Sequence, residues 1–146
     1  VFVHQAMRSA TKTDELIDAV DEVDLVTLAF PLHIDSLPAP VIEMLEMLAA
    51  HRRGSASPTL LAAIVNSGMP ESHQSATALA ICRLFAQRAG FAWAGSLVLG
   101  SGNLVVGGGT LTEDRHAPIR KALGMAASEL AEGHPIPDAA QELMGR

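Results

Sequence analysis

Three short stretches hold the residues that could do chemistry: "PLHIDSLPAP" from Pro31, "NSGMPES" from Asn66 and "GSGN" from Gly100. Each is richer in Pro, Gly, Ser, Asn or Asp than a bare connector of about 2–6 residues needs. These residue types bind more readily than they react. Gly68 permits a close backbone approach, and Asn66 and Ser67 offer hydrogen-bond partners. Residues for covalent or metal chemistry are not grouped. His4, His33, His51, His73, His116 and His134 are scattered, with no H-x-H or H-E-x-x-H spacing, so no metal is expected. No G-x-S-x-G elbow prepares a serine nucleophile. Cys82 sits in an apolar helical pattern and reads as an inert core residue. "GSGNLV" supplies two glycines of the dinucleotide fingerprint, but Val105 stands where the third belongs, and a Rossmann site is not favoured. No side chain is assigned as a catalytic acid or base.

The elements that must position these stretches follow from periodicity. "DLVTLAF", "TLLAAIV" and "FAWAGSLVLG" are apolar without alternation, as parallel strands buried on both faces are. "VFVHQAM" is β-rich at its start and is expected to add a strand. In "TDELIDAV", Leu16, Val20 and Val23 share one helix face, with Thr13 as the expected N-cap. A second helix starts near Pro40 and turns Val41, Leu45 and Leu48 inward. A third runs from Ser72 or His73 to Ala89 and stops at Gly90. After a Gly107–Gly109 loop, Pro118 opens a fourth, with Ile119, Ala122, Leu123, Ala126 and Leu130 on one face and Gly133 at its end. "IPDAAQELMGR" begins one more helical element.

Strand and helix thus alternate, which predicts an α/β fold: an open, doubly wound parallel sheet with helices on both faces. In such sheets ligands bind outside the carboxyl ends of the strands. All three polar stretches leave those ends and belong at one edge. Plainer readings stay open. "PLHIDSLP" could be a rigid joint in which Asp35 or Ser36 caps the next helix, and "NSGMPESH" an ordinary turn with Ser72 as N-cap.

The 146 residues fit one domain, 1–146, and 49% of them are apolar. No apolar run approaches the roughly 20 residues that span a bilayer, so no membrane partner is expected. With a net charge of −6, no basic stripe and no tyrosine, nucleic acid is not an expected partner either. A single cysteine fits a reducing compartment, and the expected location is cytoplasmic. The chain opens on Val1, without methionine, and we expect it to be a piece of a longer protein.

"DLVTLAFPLHIDSLPAPVIEMLE" resembles the third-strand region of the flavodoxin-like, NAD(P)H-dependent FMN reductase group, where an "aDlivl-x-P-L-Y-x-x-S-L-P" pattern wraps the flavin. The stretch from "LLAAIVNSGMPES" to "LVLGSG" is similar to that group's fourth and fifth strands. The resemblance covers roughly Asp24 to Ala131. It implies a flavodoxin-like fold whose first strand, Ser-rich phosphate loop and following helix are missing here. It implies FMN as cofactor and NAD(P)H as co-substrate, with hydride passed to a quinone or similar small-molecule acceptor. Pro31, Leu32, His33, Ile34, Asp35, Asn66, Ser67, Gly68, Gly100, Ser101 and Gly102 would line the flavin ring and ribityl chain. It also implies a homo-oligomer, a dimer whose subunits share each flavin site. The alternative is a flavodoxin-like binding or assembly module without flavin. A one-electron flavodoxin carrier is disfavoured by the scarcity of aromatic residues.

Overall fold

Three runs of apolar residues without polar alternation can be satisfied only by covering both faces of a sheet, and the chain does so. The computed structural model describes residues 2–54, 59–102, 105 and 111–145, the Ser72 side chain excepted. Leu25–Pro31 (β1), Leu60–Asn66 (β2) and Ala92–Leu99 (β3) form a parallel sheet in the order β1-β2-β3. Helix α3, Ala39–His51, joins β1 to β2. A 3-10 turn at Ser72–Ser75 and helix α4, Ala76–Ala89, join β2 to β3. Helices α5, Ala117–Ala131, and α6, Asp138–Met144, follow.

Alternation along the strands builds two cores. Phe30, Leu61, Ala63 and Val65 meet Leu45 and Leu48 of α3 and Cys82 and Phe85 of α4. On the opposite face Ala62, Ala94 and Leu97 meet Ala122 and Ala126 of α5 and Ala140 and Met144 of α6. Helices therefore cover both faces of an open α/β sheet of flavodoxin-like form. At the outer edge of β3 the Ile136 N–H donates to the Ala94 carbonyl at 2.7 Å, so the segment before α6 closes that side.

The N-terminus departs from expectation. "VFVHQAM" is not a strand: Val3–Ala6 is a single helical turn, α1, followed by helix α2, Ala10–Asp21. The Phe2 carbonyl accepts from the Gln5 and Ala6 N–H groups, at 2.9 and 3.1 Å. With no strand beside it to complete a ladder, a short segment satisfies its backbone groups locally. Its apolar side chains are used all the same, since Ala6 is buried and Val3 and Met7 pack on the first core. Thr13 also differs. It lies inside α2, whose N-cap is Ser9, and its hydroxyl donates to the Ser9 carbonyl at 3.2 Å. The Gly107–Gly109 loop, Asn103, residues 55–58 of the polar connector and the Ser72 side chain lie outside the described residues.

Candidate functional site at the carboxyl edge

Register places the three polar loops together. Pro31 of β1 pairs with Asn66 of β2, and Asn66 with Leu99 of β3, so all three strands end on one row. Hydrogen bonds then lace the exits. The Leu32 N–H donates to the Asn66 carbonyl and the Ser67 N–H to the Leu99 carbonyl, each at 2.8 Å. The Ser101 N–H donates to the Met69 carbonyl at 3.0 Å, and the Gly102 N–H to the Ser67 carbonyl at 2.8 Å.

The first loop folds as a tight, strained turn. His33 and Ser36 bond each other in both directions, N–H to carbonyl, at 2.8 and 3.1 Å. Between them Ile34 and Asp35 have φ of 49° and 57°, the pattern of a type I′ turn that usually takes Asn and Gly. A β-branched residue at positive φ is a genuine outlier. Pro31, His33, Ile34 and Asp35 are exposed and Leu32 is half-buried; Ile34, at 89% exposure, stands at the tip. Neither Asp35 nor Ser36 caps α3, whose N-cap is Pro38. The helix-capping role of this loop is therefore not realised.

The second loop is anchored by Ser67, which is 1% exposed and accepts from the Met69 N–H at 3.1 Å through its hydroxyl. The Asn66 Oδ1 is buried with no hydrogen-bond partner among the described residues. Gly68 is exposed, and a Cβ there would meet nothing within 4 Å. In the third loop space is tight. A Cβ on Gly100 would lie 2.6 Å from the Pro70 carbonyl oxygen, and one on Gly102 would strike the Asn66 carboxamide. Gly100 and Gly102 are thus fixed by packing, whereas Gly68 leaves bare backbone facing solvent.

Sequence reasoning missed two neighbours of this edge. Arg115 and His116, in the turn that leads into α5, line a hollow of about 410 Å³ with Pro70, Leu99, Gly100 and Ser101. His116 is buried, and its Nε2 has no partner among the described residues. The available signal was "EDRHAP", a charged run directly before a helix-starting proline. Cys82 is fully buried in the first core, and burial pushes its thiol up to about 11, so it is no nucleophile.

The comparisons bear on the fold. No family model and no curated protein matches the chain. Among solved structures it is similar to a thermophilic tryptophan halogenase (Th-Hal) enzyme from Streptomycin violaceusniger. The TM-score is 0.55 at 17% identity, over 96% of this chain and 75% of that one. A likeness at that identity extends to the fold alone. No helix among the described residues is long and apolar enough to cross a membrane.

Proposed function

We propose that this chain is the ring-binding part of a flavin-dependent NAD(P)H oxidoreductase of the FMN or quinone reductase type. The observation that carries the reading is the convergence of three loops on one row, Pro31–Asn66–Leu99, at the carboxyl edge of a parallel sheet. FMN, when bound, supplies two-electron chemistry between a nicotinamide and a small-molecule acceptor. The chain's own residues bind and orient. Bare backbone at Gly68 admits a flat ring edge, and the lone Asn66 Oδ1 is an acceptor still in want of a donor. The strained Ile34–Asp35 turn presents an apolar tip where a ring face could rest.

The ring half fits; the phosphate half does not. A phosphate is held by backbone N–H groups at a helix N-terminus following a strand. Among the described residues nothing of that kind precedes β1, since α1 is one turn of four residues and α2 follows that turn and not a strand. That observation favours a second reading, a flavodoxin-like binding or assembly module without flavin. A cytoplasmic dimer belongs to the first reading as an expectation.

The test is flavin titration of the parent and of Gly68→Val, followed by flavin fluorescence, beside thermal unfolding of both. Binding by the parent that weakens in Gly68→Val at unchanged melting temperature supports the ring site. Protein that never binds flavin supports the module.

A further inference from the structure

Among the described residues the sheet has one edge closed and one open. Along β1 the Leu60 N–H donates to the Asp24 carbonyl, and the Leu32 N–H to the Asn66 carbonyl. Parallel pairing alternates, so the even-numbered residues face β2 and Leu25, Thr27 and Ala29 aim their N–H and C=O groups at the free edge. Pro31 ends that row on the same side, where its missing N–H breaks no ladder bond. A groove of about 310 Å³ runs along this edge. Consecutive residues Leu25 to Leu28 all line it, so it reaches the strand's edge, and its helical walls belong to the first core's side of the sheet. Leu16 and Val20 of α2, Val23 just beyond that helix and Met44 of α3 form walls, and Thr27 is the sole polar side chain in its lining.

We propose that this groove receives an extended polypeptide segment, apolar on both faces and flanked by lysine or arginine, which adds a fourth strand beside β1. Only another backbone offers acceptors and donors at the strand repeat to match Leu25, Thr27 and Ala29. The apolar walls on the first core's side require apolar residues on the face turned toward them, and a strand that extends a parallel sheet is apolar on both faces. Charge selects the flanks. Glu15 and Asp18 lie on α2 with the groove-lining Leu16 and Val20, Glu22 is the helix C-cap, and Asp24 directly precedes β1; all four are exposed. The same acids weigh against a second copy. Pairing two chains through β1 sets two acidic α2 helices together in molecules of net charge −6 each. This inference is independent of the flavin reading.

The probe is the peptide Lys-Lys-Val-Val-Leu-Val-Ile-Lys-Lys, added to isotope-labelled protein, with backbone amide exchange read residue by residue. In the free protein the Thr27 and Ala29 amides exchange fast, while those of Val26, Leu28 and Phe30 are protected. The peptide slows Thr27 and Ala29 by about tenfold or more and leaves the even set unchanged. A version with a central proline gives no protection. A version flanked by glutamate binds about tenfold more weakly at low salt, and the gap narrows as salt rises. Four results overturn the proposal. Thr27 and Ala29 could stay fast at saturating peptide, or be protected at every concentration of free protein. They could gain protection with protein concentration alone, alongside a dimer in sedimentation, or the glutamate-flanked peptide could bind as well as the lysine one.

Discussion

At the scale of single residues, Ile34 is the most telling. A β-branched side chain at φ 49° costs about 1–2 kcal/mol relative to an unstrained residue, and local packing gives little back because the side chain is exposed. Ile34→Gly should therefore stabilise the fold by about 1 kcal/mol in urea unfolding. If Ile34 contributes to a ring site, the same variant binds flavin less well. A gain in stability without a loss of flavin binding assigns the turn to folding alone. The glycines divide in the same way. Gly100→Ala forces a Cβ against the Pro70 carbonyl and should cost about 1–3 kcal/mol. Gly68→Ala meets open space and should change stability by less than about 0.5 kcal/mol. Equal losses at the two positions contradict this division. The sequence showed that all three glycines sit in strand-exit loops. It could not separate tight packing from open backbone, because that depends on Pro70 and Asn66, brought close only by the sheet register.

Among the elements, the two central strand–helix–strand units were legible because unbroken apolar runs leave one arrangement open to them. The N-terminal turn was not. β-propensity over a few residues yields to whichever partner supplies backbone hydrogen bonds, and among the described residues Val3–Ala6 has no strand beside it. The polar connector after α3 concealed a second surprise. Arg52 is 2% exposed; its Nε donates to the Ala89 carbonyl at 3.1 Å, its guanidinium lies 4.2 Å from the Phe91 ring centroid, and its Nη1 pairs with Asp21. It pins the ends of α2, α3 and α4 together. Asp21→Asn should cost about 1–2 kcal/mol, less than the 3–5 of a fully buried pair because Asp21 is 40% exposed. The hydrogen bond with His51 and the Arg52 charge hold the Asp21 carboxyl below its ordinary 3.8. A lowered folded value means that the carboxylate's contribution is present above 3.8 and is lost as pH falls through the folded value. The stability difference between parent and Asp21→Asn should accordingly shrink in acid. Urea unfolding at neutral pH and near pH 3 checks it, and a constant difference contradicts it.

For the whole molecule, the fold joins a carboxyl edge where three loops converge to a sheet side left open among the described residues, and among those residues no phosphate nest precedes β1. These two features make one joint demand on ligand choice. Loops that touch only the ring cannot distinguish FMN from riboflavin, which has the same ring and ribityl chain without the phosphate. The most direct measurement is therefore a parallel titration of the 146-residue chain with FMN and with riboflavin, followed by flavin fluorescence. Both flavins should bind, each more weakly than about 1 μM (about −8.2 kcal/mol), with affinities equal to within about threefold. FMN binding at or below micromolar with riboflavin about tenfold weaker would mean that a phosphate grip exists elsewhere on this chain. Binding of neither flavin would contradict the ring site itself.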